Sequence, residues 1–207
     1  MKKAKPEDRR EYWKLHVAAL AFEKAGDVAS RLLDMEDNDD LFLPLMIALH
    51  ALYARPFKHD KIQRRMDETL IPAKYQGAHE MAIHLRDKIY AHHDKATGLK
   101  DSESGVDLFQ LILLVEDGDP KPGMQMVYPT KHQLQDIRDL CGEMRDICYT
   151  KGTEALFCCI DEIPEDGIYR VSTDFEGRAP LLIPSELSTV QSRGHLKETM
   201  RRPGDAP

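Results

Sequence analysis

Arg86, Asp87, Tyr90, His92 and His93 fall within one short run, RDKIYAHH. A guanidinium donates to anions through a fixed planar fork, and an imidazole changes charge near neutrality. Together these side chains suit neutralisation of a developing negative charge and transfer of a proton. On a helical wheel of about 100° per residue, Ala78, Met81, Leu85 and Ile89 gather as a core face, and His92 falls within it. Arg86 and His93 return to within about 20° of each other at the margin of that face, with Tyr90 and His79 nearby. Glu80, His84 and Lys88 point the other way, toward solvent.

Spacing alone favours a structural role. An arginine at a helix edge ordinarily pairs with a carboxylate or a helix end, and a histidine near a helix C-terminus is favoured by the dipole. His79, His84, His92, His93 and Asp94 lack a metal-ligand spacing, so no metal and no cofactor are expected. Glycine-rich loops of the P-loop or Rossmann kind are absent from the sequence.

The elements that must position these residues are legible from periodicity. Pro6, Glu7 and Asp8 suit a helix start, and Leu15, Ala19, Phe22, Ala29 and Leu33 form the apolar stripe of a first long helix. The acidic EDNDD ends it, and LFLPLMIALHALYA follows as a second helix, apolar almost all round and expected to be the most buried. A third helix is expected from about Ala73 to the double histidine. LFQLILLVED and MQMVY read as strands joined by the turn-rich DGDPKPG. Thr130 and Gln133 make a capping-box pattern ahead of a fourth helix running to about Cys159, whose GTEALFCCI end is expected to be buried. IYRVSTD and APLLIP flank FEGR as a second hairpin, and the polar tail from Ser185 is expected to be disordered.

The whole is a mainly α chain, a four-to-five-helix bundle with one or two small β-hairpins. At 207 residues, 42% hydrophobic and 31% charged, it has the balance of a soluble globular protein. A net charge of -7 argues against a broadly basic nucleic-acid binder but leaves room for a local basic pocket. The four cysteines form no metal or disulfide framework, and Cys141 and Cys148 read as small core residues, which fits a reducing, cytoplasmic setting. MKKAKPEDRR is followed by no apolar run, so neither a signal peptide nor a membrane span is expected.

LRDKIYAHHD resembles the Arg-x(4–6)-His signature of the HEPN domain superfamily, small all-helical domains of prokaryotic toxin–antitoxin, phage-defence and RNA-processing systems. Arg86 to His92 and Arg86 to His93 both fit that spacing. The Arg-Asp-Lys-x-x-Ala-His order favours His92 as the family histidine, whereas the wheel favours His93. The Tyr-x-Arg-Pro-Phe run in ALYARPF adds a fainter likeness, and together the segments cover about the first half of the chain.

The resemblance implies a HEPN-like up-and-down bundle over 1–160; the hairpins read from the strand pattern are no part of that minimal domain and stand as an insertion at about 107–129 and an extension at 161–184. It also implies metal-independent cleavage of RNA in a cleft between two protomers, hence a homodimer, with a cognate antitoxin or other protein as a further partner. Arg86 would neutralise the phosphoryl oxygens, and His92 or His93 would move a proton or orient the nucleophile. Asp87 would hold a histidine or the arginine, and Tyr90 would stack on a base. Arg55, Lys58, Arg64 and Arg65 would supply phosphate contacts, although a solvated loop is the commoner use of such a run. The competing reading is a non-catalytic helical module of the same fold that dimerises or binds a partner.

Overall fold

The computed structural model describes residues 6–36, 39–58, 65–90, 109–116, 119–126, 128–160, 167, 169–172 and 182–184. The chain divides into two compact units, one of Lys14–Thr150 and one of Met1–Trp13 with Lys151–Pro207. Helices dominate the described residues: α1 is Pro6–Asp34, α2 Phe42–Ala54, α3 Gln76–His84 and α4 Lys131–Cys159. A π-helical segment, Leu85–Tyr90, continues α3. Two antiparallel hairpins complete the set, β1 (Phe109–Glu116) with β2 (Asp119–Met126) and β3 (Tyr169–Val171) with β4 (Leu182–Pro184). Among the described residues no helix is long and apolar enough to cross a membrane.

The first unit is built on one continuous core. Phe22 of α1, Met46, Leu49 and Tyr53 of α2, and Ile137 and Met144 of α4 are all sealed from solvent and belong to one cluster. Cys141 and Cys148 lie in it as small apolar residues, and burial pushes the Cys141 thiol well above its ordinary range. At Gly26 an added Cβ would stand 3.5 Å from the Cys141 Cβ, an ordinary contact, so α1 and α4 approach closely there.

α2 has the largest share of buried positions among the described α-helices, as expected, yet it is not covered all round. Pro44, Ile47 and Ala51 form a wet face, while Phe42, Met46, Leu49, His50, Tyr53 and Ala54 are buried. An apolar sequence all round does not oblige a helix to be covered all round when its neighbours lie on one side. The end of α4, in the other unit, also differs from the buried segment expected there. Phe157 and Cys158 are exposed, and Ala155, Leu156 and Cys159 are only half-buried. Only one stripe of a helix can turn inward, and these two exposed residues lie off it.

The first hairpin is tighter than the sequence suggested. Glu116 pairs with Asp119, so β2 begins inside the segment read as a turn, and only Asp117 and Gly118, outside the described residues, remain to connect the strands. Asp-Gly is a favoured pair for a two-residue connection. Pro120 and Pro122 pair with Val115 and Leu113, two positions apart on one edge of β2. With Glu116–Asp119 as the closing hydrogen-bonded pair, that edge is the outer one, so the missing N–H groups cost the ladder nothing. Of the second hairpin the structure describes Tyr169–Val171 paired with Leu182–Pro184; residues 168 and 173–181, FEGR among them, and the tail at 185–207 lie outside the described residues.

The capping box holds. Gln133 N donates to Thr130 Oγ1 at 3.3 Å, and Thr130 N donates to Gln133 Oε1 at 2.8 Å. Thr130→Ala removes one half of this exchange and is expected to cost about 1 kcal/mol of unfolding free energy in a denaturant titration.

Candidate functional site

The site begins with an aromatic anchor. α2 ends in a 3₁₀ turn, Arg55–Phe57, and Lys58 leaves it in extended conformation. Phe57 is buried, with its ring centroid 5.9 Å from Phe22, 5.7 Å from Tyr53 and 4.8 Å from His79. Met66 N donates to the Pro56 carbonyl at 2.9 Å, which ties the returning chain to the same turn. Phe57 therefore clamps the turn against α3 and fixes where the next side chain, Lys58, can reach.

His79 is part of that clamp. Its Nδ1 is hydrogen-bonded to the Tyr53 hydroxyl at 2.8 Å, and both residues are buried. Desolvation lowers the His79 pKa; the nearby Glu80 opposes this and Arg65 adds to it. The sequence placed His79 on the margin beside Arg86 and put Ala78 and Met81 on the core face. In the structure the fully buried positions are His79, Ala82 and Leu85, with Ala78 and Met81 only half-buried. The face turns because Tyr53 and Phe57 offer His79 a hydrogen bond and a ring edge, which make a buried imidazole tolerable.

Seven residues after His79, Arg86 and Asp87 lie on the π-helical segment. Arg86 Nη1 donates to Asp87 Oδ1 at 2.6 Å. Lys58 Nζ donates to both oxygens of the same carboxylate, at 2.7 Å and 2.6 Å. The three side chains are half-buried, at 32%, 34% and 38% exposure for Arg86, Asp87 and Lys58. Burial alone would raise the Asp87 pKa, but the hydrogen bonds from Lys58 and Arg86 outweigh it and hold the carboxyl below its usual range. Asp87 is thus an anion throughout the neutral range, shared by two cations no farther apart than two hydrogen bonds laid end to end.

The π geometry matters for the wheel. Hydrogen bonds from i to i+5 put more residues in a turn than an α-helix has, so positions beyond Leu85 lag behind the angles assigned to them. The near-coincidence of Arg86 and His93, computed for an unbroken α-helix, does not carry through this segment. Such segments are rare and recur at functional sites.

The remaining candidates separate. His92, His93 and Arg64 lie outside the described residues, and Tyr90 is the last residue of the π segment. Arg65 is exposed and ion-paired with Glu68. Arg55 is exposed at the end of α2. The tie between Lys58 and Asp87 was not foreseen; the aromatic Phe57 just before Lys58 was its only trace in the sequence. No three of His, Cys, Asp or Glu among the described residues converge as metal ligands.

The fold and site define a mainly helical chain with two small antiparallel hairpins and a half-buried Arg–Asp–Lys cluster at a π-helical turn. Comparison with protein-family models, with curated proteins and with solved structures gives no match.

Proposed function

We propose that the chain is a HEPN-like, metal-independent endoribonuclease or RNA-binding protein of toxin–antitoxin or phage-defence type, working as a homodimer whose helices form the HEPN bundle. The observation that carries this reading is Arg86 held by Asp87 beside a second cation, Lys58, on a π-helical segment. Asp87 fixes the guanidinium before any substrate arrives, and a donor fixed in advance needs no reorganisation when charge develops. In the proposed reaction the ribose 2′-oxygen attacks the adjacent phosphorus and the 5′-oxygen of the next nucleotide leaves. The products are a 2′,3′-cyclic phosphate and a 5′-hydroxyl. Arg86 neutralises the non-bridging oxygens, and His92 or His93 takes the proton from the 2′-hydroxyl or returns one to the leaving oxygen. Tyr90 stacks on a base.

The test is total RNA incubated in EDTA with wild type and with Arg86→Ala, resolved on a denaturing gel. Cleavage by wild type alone supports the reading, and His92→Ala against His93→Ala then identifies the working histidine. RNA left intact by wild type sinks the nuclease.

One observation favours the non-catalytic module. Leu113, Leu114 and Val115 of β1 are exposed at 63%, 50% and 59%, on both faces of the ribbon. Pro120 and Pro122 block the outer edge of β2, so β1 offers the ribbon's single open edge. Two such edges paired antiparallel close at two copies, because each new sheet end is again a blocked edge. On this reading Leu113→Lys with Val115→Lys converts a dimer to a monomer by light scattering. An unchanged mass would remove the ribbon from the interface.

A further inference from the structure

A shallow depression lies between α1 and the turn that ends α2, lined by Lys14, Val17, Ala18, Ala21, Arg55, Pro56 and Lys58. Positions 14, 17, 18 and 21 share one face of α1, so the lysine stands at the end of an apolar floor in which the half-buried Val17 lies beside two buried alanines. Three cations rim that floor, and no carboxylate lines it. Arg55 is exposed and no carboxylate among the described residues pairs with it. Lys58 spends its ammonium on Asp87, which also binds Arg86, so the depression and the arginine site share a wall.

A chemistry follows from the shape. Cations beside a flat apolar floor suit a ligand with a negative group and a planar face. A free phosphate would leave the floor unused, and an acyl chain would need depth that an open depression lacks. A nucleotide of an extended single strand meets both conditions, with its phosphate on the cations and its base over Val17, the alanines and Pro56.

We propose that Lys14 and Arg55 seat the phosphate of a nucleotide flanking the one held at Arg86, so that single-stranded RNA crosses from this depression onto the arginine site. The proposal rests on the RNA reading given above and adds Lys14, which the motif does not contain. Lys58 acts here as a positioning residue, since its charge is committed to Asp87.

The experiment is fluorescence anisotropy of the full chain with a labelled single-stranded 2′-O-methyl oligoribonucleotide, in EDTA, over a range of salt concentrations. Capping the attacking hydroxyl prevents cleavage, so binding is read independently of catalysis. The combined variant Lys14→Ala, Arg55→Ala is expected to bind about tenfold more weakly at low salt. Its log K against log salt slope should be shallower by about 0.7, the loss of one neutralised phosphate on a single strand. Arg138→Ala, which removes a cation already paired with Asp139 on α4, should behave as wild type. Unchanged affinity and slope in the combined variant overturn the proposal, and so does a wild type that binds no oligonucleotide. A chain that shows the predicted loss of binding yet leaves total RNA intact would keep this subsite and refute only the nuclease.

Discussion

On the proposed nuclease reading, Arg86→Ala is expected to reduce RNA cleavage by about 10²–10³-fold while leaving the melting temperature almost unchanged. The rate effect is that of deleting one preorganised donor aimed at developing negative charge. The stability effect is small for a reason visible in the site. Arg86 is half-buried, and its partner among the described residues is the adjacent Asp87, which keeps the Lys58 ammonium on both of its oxygens when the guanidinium goes. No buried charge is orphaned, so the loss falls in the range of about 0–1 kcal/mol for a solvent-accessible pair. Arg86→Lys should not restore activity, because a lysine brings the charge without the planar fork. Cleavage of a labelled RNA, set beside thermal unfolding of the same preparations, checks both halves. A large drop in melting temperature would instead make Arg86 a structural residue and favour the non-catalytic module.

The second large effect lies in the core. His50 of α2 is fully buried, and its Nδ1 donates to the Met46 carbonyl at 2.7 Å. Desolvation pushes its pKa down from 6.5 to about 4, against a smaller opposing effect of that carbonyl. Above pH 6.5 the imidazole is neutral in both the folded and unfolded chains and contributes no pH dependence. Between pH 6.5 and 4 the unfolded chain binds a proton that the folded one refuses, so stability falls as the pH falls. The slope is about 1.4 kcal/mol per pH unit, for a total of about 3 kcal/mol across the window. His79, also lowered by burial, acts in the same direction. His50→Leu should flatten the acid limb, gaining about 3 kcal/mol on wild type between pH 7 and pH 4 in urea unfolding. Parallel curves for the two proteins would show that His50 is protonated in the folded state.

Much of this architecture could be read from local pattern, and the failures have a common cause. The stripe of Leu15, Ala19 and Phe22 located α1, and Thr130 with Gln133 located the start of α4, because both signals are written within one or two helical turns. Pro120 and Pro122 were misread as turn residues because a proline is a breaker only where its missing N–H faces a partner. That depends on register, which spans two strands. α2, apolar almost all round and expected to be the most buried helix, still leaves Pro44, Ile47 and Ala51 exposed, since hydrophobicity states what a surface prefers and says nothing of which neighbours arrive.

The candidate site divides the same way. The residue types and spacing of Arg86 and Asp87 marked the run as chemically capable, and their adjacency made an ion pair accessible within one turn. The sequence by itself determined the helices, the cap and the identity of the charged groups, all set by interactions between near neighbours. Only the tertiary structure decided that Phe57 would clamp Lys58 onto Asp87, that His79 would enter the core beside Tyr53, and that Lys14 would face Arg55 across a shallow depression. Each of these joins residues from different helices or turns, and such contacts are selected by packing and desolvation, which no helical wheel contains.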